Sequence, residues 1–350
     1  MASNNFKFRF VRTDQYGYKS DGINILLVDM GFNPNYGRVT VVWGDGSKND
    51  YYNGDTLAEH TYQDGADSHL IEVVDRTNDW GISNPDIGNI FDLYRFYRAF
   101  DAGCRDHVSE LYLVNFNVSK VERGTEYDSE NQFLPSLKHV QFPNNFILGD
   151  YCFYGMNIET LSRTDQIIEY GTGSLGNCHH LKTHIKIRNG ARLKSYVTGG
   201  CNDNRVQDVP SDSVIEITLG NNLQISRDEQ ELFFGCHIRK INRIDTLDYI
   251  GSGWFHNCVI DEPIRFKPNA TIGDHAFYDT RFNNCIEFHE NSIGNNAFDK
   301  AIIHSFRRFD TITELGTESF KETSIHENSE PMTLKLQRDM NTSNAHRAFQ

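Results

Sequence analysis

Residues 272–277 read Ile-Gly-Asp-His-Ala-Phe, and residues 293–298 read Ile-Gly-Asn-Asn-Ala-Phe. The same aliphatic-glycine pair, followed by a ring five residues after the aliphatic, recurs through the second half of the chain. The repeated rings are Phe153, Phe233, Phe255, Phe277, Phe298 and Phe320, and the repeated glycines are Gly149, Gly251, Gly273, Gly294 and Gly316. With Leu175 and Thr198 as degenerate copies, the ring positions lie 21 to 23 residues apart, except for one step of 35 across an insertion at 201–213. This regularity indicates an internal repeat.

Each repeat also contains a short β-prone stretch. These stretches alternate apolar with polar residues, as half-buried strands do, and they lie at 181–187, 214–217, 238–241, 264–266, 286–288 and 303–306. A unit of about 22 residues is too short to bury a core alone, so it must stack on its neighbours. We therefore predict a solenoid in which each turn supplies a strand, a tight turn at a glycine with φ > 0, and a ring that fills the core.

The repeated pattern also carries a resemblance. I-G-x-x-A-F, followed in several copies by a cysteine three residues after the ring and then by L-x-x-I-x-F, resembles the BspA-type leucine-rich repeat. Residues 137–142, Leu-Lys-His-Val-Gln-Phe, match the strand half of a further unit, so the resemblance covers about residues 133–325. It implies a leucine-rich-repeat solenoid that binds hosts, matrix or partner proteins, and it brings no catalytic residues.

The repeat also interprets the cysteines. Of the seven, Cys178, Cys201, Cys236 and Cys258 occupy one equivalent position, three residues after the ring. We predict a buried column of small apolar thiols. An occasional disulfide and a metal site are the alternatives, although His179 and His180 beside Cys178 lack the paired C-x-x-C spacing of a zinc site. The prediction is therefore no metal and no cofactor.

The first 80 residues have a different sequence pattern from the repeats. Strand-like runs surround Trp43-Gly-Asp45-Gly46-Ser, and His60-Thr-Tyr62 precedes an Ile-x-Val strand. Trp43, Asp45, Gly46, His60 and Tyr62 form a motif that resembles the PKD-like, immunoglobulin-type β-sandwich. The resemblance implies a tryptophan in the core and a module that presents a larger structure or binds a neighbour. Asp-Gly is also a favoured hairpin turn on physical grounds.

A calcium loop is an alternative interpretation of this hairpin. The side chains of Asp45, Ser47, Asn49 and Asp55 offer oxygen donors at suitable spacing. The sixth position is Asp50 rather than glycine and the twelfth is Thr56 rather than glutamate, unlike an EF-hand loop. The prediction is a plain hairpin.

The predicted organisation is mainly β. It consists of a PKD-like β-sandwich at 1–80, a connecting or capping region at 81–132, a BspA-type leucine-rich repeat solenoid at 133–326 and a polar C-terminal tail at 327–350. The segment 87–100 has apolar residues at helical spacing, and we expect it to cap the open end of the solenoid.

Composition restricts the partners. The chain has 34 Lys and Arg against 48 Asp and Glu, a net charge of −14, so we predict no nucleic-acid binding. No apolar stretch is long enough for a membrane helix, and we expect no membrane insertion. The opening MASNNFKFRF lacks the pattern of a secretory signal. With an odd cysteine count, this predicts synthesis and folding in a reducing cytosol.

The sequence contains no recognised catalytic motif. The carboxylate pairs Asp228/Glu229 and Asp261/Glu262 leave a glycosidase as an alternative, but a chain with 48 acids has such pairs on solvated faces. We therefore predict a non-enzymatic protein.

The favoured function is that of a phage virion protein, either a capsid decoration protein or a tail accessory. It would attach to capsid or tail proteins through the N-terminal sandwich and present the repeats outward at the virion surface, after synthesis in the host cytoplasm. The alternative is a bacterial cell-surface adhesin that binds a host protein or glycan. Homo-oligomerisation is left open.

Overall fold

The computed structural model describes residues 5–27, 38–52, 54–75, 90–101, 103–114, 119–123, 134–201, 212–226 and 230–326. It is built mainly of β-strands, which confirms the predicted fold class. The chain divides into two compact units, Met1–Glu169 and Tyr170–Gln350. Within the described ranges, none of the helices has the length and apolar character that a membrane span requires.

The first unit begins with a two-sheet module. Its strands are β1 (Asn5–Val11), β2 (Gly22–Leu26), β3 (Val39–Val42), β4 (Lys48–Tyr51), β5 (Leu57–Thr61) and β6 (Ser68–Asp75). One sheet pairs β1, β6, β3 and β4 antiparallel, and β2 pairs with β5 in the other. Phe10 of the first sheet stacks on Tyr62, which follows β5, with 5.9 Å between the ring centroids. The two sheets thus share a buried aromatic core, as in a sandwich.

The rest of the first unit contains stacked parallel strands. Its elements are β7 (Ile90–Asp92), α1 (Leu93–Arg98), β8 (Val108–Tyr112), β9 (Lys120–Glu122), β10 (His139–Gln141), β11 (Phe146–Leu148), β12 (Thr160–Ser162) and β13 (Ile167–Tyr170). Two 3-10 helices lie at Arg105–His107 and Thr164–Gln166. One parallel series joins β8, β10 and β12, and another joins β7, β9 and β11. Parallel stacking therefore begins before residue 133, the predicted start of the solenoid.

The edge of the parallel series is covered by β1. This strand pairs antiparallel with β8, and Arg9 of β1 forms an ion pair with Glu110 of β8 at 2.7 Å. The sequence led us to expect a helical cap at 87–100; residues 87–89 lie outside the described ranges, and the remainder forms β7 and the short helix α1. Because an edge strand carries backbone groups that need partners, β1 is the element that protects the edge of β8.

Each turn of the second unit has three sides: a longer strand, a short strand and a segment that carries the core ring. Its strands are β14 (His184–Lys186), β15 (Arg192–Leu193), β16 (Ile215–Thr218), β17 (Gln224–Ile225), β18 (His237–Asn242), β19 (Tyr249–Ile250), β20 (Val259–Ile260), β21 (Ile264–Arg265), β22 (Thr271–Ile272), β23 (Arg281–Glu287), β24 (Ser292–Ile293), β25 (Ile302–Arg307), β26 (Glu314–Leu315) and β27 (Ser324–Ile325). Two 3-10 helices lie at Ile244–Thr246 and Phe309–Thr311. The longer strands form one parallel sheet in the order β14, β16, β18, β20, β23, β25 and β27, and β21 pairs with β23. Short strands form a second sheet in the order β19, β22, β24 and β26, and β15 pairs with β17.

A ladder of phenylalanine rings fills the core on the third side. Five rings stack with nearly parallel planes, with 5.1 to 5.4 Å between successive centroids and 1° to 17° between planes: Phe233, Phe255, Phe277, Phe298 and Phe320. All five are buried, as is Phe153 in the first unit. Backbone hydrogen bonds link the same positions, because the N–H of Phe255 donates to the carbonyl of Ala276 in the next turn at 2.9 Å. The repeated rings thus hold successive turns together.

The geometry of the turn comes from left-handed residues, not from the repeated glycines. Eight turns share a pair of positive-φ residues that lie four positions apart, at Tyr151 and Gly155, Gly173 and Asn177, Tyr196 and Gly200, Glu231 and Gly235, Gly253 and Asn257, His275 and Asp279, Asn296 and Lys300, and Glu318 and Glu322. Further residues between these pairs, among them Asn269, Glu290 and Arg308, also adopt positive φ. The predicted positive φ at Gly149, Gly251, Gly273, Gly294 and Gly316 is wrong, since none of these five adopts it. Their role is close approach: a Cβ on Gly294 would lie 2.8 Å from the carbonyl carbon of Gly273.

The predicted domain bounds at residues 80, 132 and 326 stay predictions. The polar tail 327–350 and most of the insertion 201–213 lie outside the described residues.

We expect Gly294→Ala to lower the free energy of unfolding by about 1–3 kcal/mol, because the added Cβ has no space between two turns. Urea unfolding followed by circular dichroism measures this change. Gly103→Ala is the matched control, since a Cβ there meets its nearest atom at 3.6 Å, and it should change stability by less than about 0.5 kcal/mol. Equal effects of the two substitutions would contradict the close-approach role.

Candidate functional site

The N-terminal motif forms a buried aromatic cluster behind a hairpin. Trp43 is fully buried, and its indole Nε1 donates to Asn49 Oδ1 at 2.7 Å. The Tyr62 hydroxyl donates to the Trp43 carbonyl at 2.9 Å, and His60 stacks on the indole with 4.9 Å between centroids. Burial raises the pKa of Tyr62 well above its usual value, so the hydroxyl stays a donor. The motif therefore fixes the core of the sandwich.

Asp45 closes the hairpin between β3 and β4. Its Oδ1 accepts the backbone N–H of Ser47 at 2.9 Å and the Ser47 hydroxyl at 2.6 Å, and its Oδ2 lies 2.7 Å from His60 Nε2. Gly46 provides the positive φ of the turn. Desolvation raises the pKa of Asp45, but the hydrogen bonds from Ser47 and His60 outweigh it and lower the pKa to about 2. The carboxylate thus ties the turn to the aromatic cluster.

The proposed calcium donors have other partners. Asp45 is bound to Ser47 and His60, Asn49 Oδ1 accepts from Trp43, and Asp55 Oδ2 accepts the backbone N–H of Tyr52 at 3.0 Å. Among the residues that the structure describes, no group of three or more His, Cys, Asp or Glu is arranged to hold a metal ion. The hairpin geometry offers Asp45 a structural role instead.

We expect Asp45→Asn to destabilise the protein by about 1 kcal/mol at pH 7, a figure reduced from the full shift because water screens this hairpin. The folded pKa of about 2 lies below the ordinary 3.8, so the stabilisation is present above about pH 4 and is lost as the pH falls toward 2. The difference between variant and parent should shrink in that window. Urea midpoints measured from pH 2 to pH 7 test this.

Asp67→Asn is the control for this prediction, because Asp67 lies on an exposed loop of the same module. Its difference from the parent should stay near zero at every pH. A pH-independent loss of stability in Asp45→Asn would show that the charge of Asp45 does not contribute.

The predicted cysteine column is buried and reduced, and it has a hydrogen-bonding task. Cys236 Sγ donates to the carbonyl of Thr198 at 3.0 Å, and Cys258 Sγ donates to the carbonyl of Phe233 at 3.0 Å. The acceptor in each case is the ring-position residue of the preceding turn. Thr323 Oγ1 donates to the Phe298 carbonyl in the same way at 2.7 Å. Thiol and hydroxyl are thus interchangeable donors to a buried carbonyl.

The environment keeps these cysteines as thiols. Burial raises the pKa of Cys201 and Cys258 far above the usual thiol value. His180 was one of the histidines of the alternative metal site beside Cys178. Its Nδ1 lies 2.8 Å from Asp212 Oδ1, so this histidine pairs with a carboxylate. The column is therefore built for structure rather than for nucleophilic chemistry.

We expect Cys258→Val to lower the free energy of unfolding by about 1–3 kcal/mol, because the buried Phe233 carbonyl loses its donor. Cys258→Thr restores a donor of the kind found at Thr280 and Thr323, and it should stay much closer to the parent. Urea unfolding of the two variants gives the comparison. Equal stability of Val and Thr variants would refute the donor role.

The carboxylate pair that suggested a glycosidase lies on the outer face of the long sheet. Asp261 Oδ2 lies 2.9 Å from His237 Nε2, and Glu262 forms an ion pair with Lys240 at 2.9 Å. Each acid is thus engaged by a basic side chain of the preceding turn. Asp228 and Glu229 lie outside the described residues.

A second aromatic column runs outside the phenylalanine ladder. Tyr196, Phe234, His256 and Tyr278 come from successive turns, and we call them the aromatic stripe. Their rings meet edge to face, with centroid distances of 6.2, 5.0 and 4.9 Å along the series. Tyr196 is 41% exposed and the other three are half-buried. The stripe is a continuous aromatic surface that can contact a ligand along several turns.

The repeat pattern in the sequence predicted the inner rings and did not predict the aromatic stripe. Those inner rings are buried in the core and cannot reach a ligand; of the repeated glycines, Gly149, Gly251 and Gly273 are buried, and Gly294 and Gly316 are half-buried. The signal was present in the dipeptides at 233–234, 255–256 and 277–278, which read Phe-Phe, Phe-His and Phe-Tyr. A second ring directly after a core ring faces away from the core, because adjacent residues of a turn cannot share one side.

Comparison with known proteins identifies the repeats. A family model described as BspA type Leucine rich repeat region matches residues 129–215 and 210–327, in six copies. No curated protein and no solved structure matches the chain. The matched ranges cover more than half of the chain and begin after the N-terminal module, for which the PKD-like resemblance stays a prediction.

Proposed function

The chain belongs to the BspA type leucine-rich repeat family, and from this premise we propose that it is a non-enzymatic structural protein at the surface of a phage particle. Solenoids of this kind are protein-interaction folds that offer a long, ordered face. The observation that carries the proposal is the aromatic stripe, a surface column that the stacking of the core does not require. It gives the repeats a face with which to bind.

The reduced cysteines support the virion over an exported protein. Each of the seven is in the thiol form, and Cys236 and Cys258 use that form as hydrogen-bond donors. Thiols are retained in the reducing cytosol, whereas oxidising compartments favour disulfides. Phage virion proteins are made and folded in the host cytoplasm.

We assign attachment to the N-terminal module, with a capsid or tail protein as partner. Tyr16 and Tyr18 are 61% and 71% exposed on the loop between β1 and β2. Asp14 Oδ1 accepts the backbone N–H of both at 2.8 Å, so the loop presents the two rings in a fixed arrangement. Exposed, ordered tyrosines are typical of interface anchors.

The alternative is a bacterial cell-surface adhesin that binds a host protein or glycan. The aromatic stripe supports the host-protein form of this function, since aromatic side chains supply much of the contact area at protein interfaces. A homo-oligomer is compatible with either function.

We expect mass spectrometry of purified virus particles from the source culture to find the chain at a copy number that matches capsid or tail symmetry. Absence from every particle fraction would overturn the virion proposal. Antibody labelling of intact bacterial cells would instead support the adhesin. Deleting residues 1–80 is a poor test of attachment, because it removes β1 from the edge of β8.

Attachment is tested better by a surface change. The double substitution Tyr16→Ser and Tyr18→Ser should reduce incorporation into particles at least tenfold, while Tyr249→Ser in the second unit, where Tyr249 is 50% exposed, should not. Normal incorporation of the double variant would place the anchor elsewhere.

A further inference from the structure

The aromatic stripe already binds one cation, which comes from the same chain. Lys300 Nζ lies over the Tyr278 ring, 5.4 Å from its centroid. The electron-rich face of an aromatic ring attracts an ammonium or guanidinium group in this geometry. A cation from another molecule could make the same kind of contact with a ring of the stripe.

The same side of the second unit is acidic. Five segments carry the stripe residues from Phe234 to Tyr278 and the equivalent positions of the next two turns: 230–235, 252–257, 274–279, 295–300 and 317–322. Together they hold six carboxylates, of which Asp299 is buried, against two lysines. Asp274 and Asp279 are both exposed, four residues before and one residue after Tyr278 in the chain. The carboxylates of Glu231 and Glu318 lie 3.3 Å from His256 and 3.2 Å from Lys321. The surroundings of the aromatic stripe thus carry excess negative charge in a chain of net charge −14.

The ring geometry favours a cationic peptide over a sugar. Successive rings are nearly perpendicular, with 76°, 81° and 83° between their planes. They form no coplanar platform on which a flat pyranose chain could lie. Long cationic side chains, in contrast, can reach individual ring faces, as Lys300 reaches that of Tyr278.

We propose that the aromatic stripe, with Asp274 and Asp279 beside it, binds a Lys- or Arg-rich segment of a partner protein. This inference rests on the proposed binding function of the repeats. The cationic side chains lie against Phe234 and Tyr278, and the carboxylates balance their charge. Since exposed ion pairs are screened by salt, binding weakens as ionic strength rises.

The test uses the full chain and fluorescently labelled 12-residue peptides, one rich in Lys and Arg, one rich in Glu and one neutral, together with a labelled neutral oligosaccharide. Fluorescence anisotropy should show binding of the basic peptide, at least fivefold weaker after the double substitution Phe234→Leu and Tyr278→Leu. Leucine keeps the apolar volume and removes the ring face. Tyr52→Leu, which removes an exposed ring of the N-terminal module, should leave the affinity unchanged.

A second variant protects the test against a folding defect in the first. Asp274→Asn with Asp279→Asn keeps the shape of the surface and should weaken binding at least threefold at low salt, with a smaller effect at high salt. Unfolding curves confirm that each variant is folded.

Binding of the oligosaccharide but not of the basic peptide would overturn the proposal in favour of a glycan site. Basic-peptide binding that Phe234→Leu with Tyr278→Leu does not change would also overturn it, as general attraction to an acidic protein. Particle incorporation is measured separately: if the stripe variant is incorporated normally and the parent chain binds no basic peptide, this inference fails while the proposed function stands.

Discussion

The spacing of hydrogen-bonded turns constrains the whole second unit. Paired strands lie about 4.8 Å apart, and the flat Phe rings stack at 5.1 to 5.4 Å, so one ring per turn matches the strand spacing closely. At this spacing a Cβ on Gly294 would collide with the turn before it, and a buried carbonyl such as that of Phe233 can be reached by the Cys258 thiol. The short distance between turns therefore explains the flat ring, the glycine and the thiol at their positions in the repeat.

The sequence was sufficient for the period, because stacking forces equivalent positions to recur at a fixed interval. It identified the core rings and the cysteine column for the same reason. It did not give the reason why Gly149 and its equivalents are glycine. A requirement for positive φ and a requirement for close approach to the neighbouring turn both select glycine, so the sequence alone does not separate them. The left-handed positions were hidden because Tyr151, His275 and Glu318 occupy them, where glycine is the usual signal.

The N-terminal module shows a second limit of sequence reasoning. Trp43, Asp45 and His60 predict a hairpin and its core, because they lie close together in the sequence and their residue types are typical of such a turn. The pairing of β1 with β8 joins residues about a hundred positions apart, and no local pattern encodes it. Through this pairing the module has a structural role, because β1 supplies hydrogen-bond partners to the edge of β8. An unpaired edge strand can associate with another chain. An expected separate sandwich is therefore also part of the first repeat sheet.

Inner and outer columns of the second unit are subject to different demands. The inner ring must be flat and buried, and the stacked positions from Phe233 to Phe320 allow no charge. One residue later, the chain carries Phe234, His256, Tyr278 and Lys321, which are half-buried, and Asp299, which is buried. Because this position lies outside the phenylalanine ladder, the outer column changes from aromatic to charged residues while the strand pairing continues. A run of adjacent rings there is a property of this chain rather than of its repeat, and ligand binding is the function that a surface column can serve.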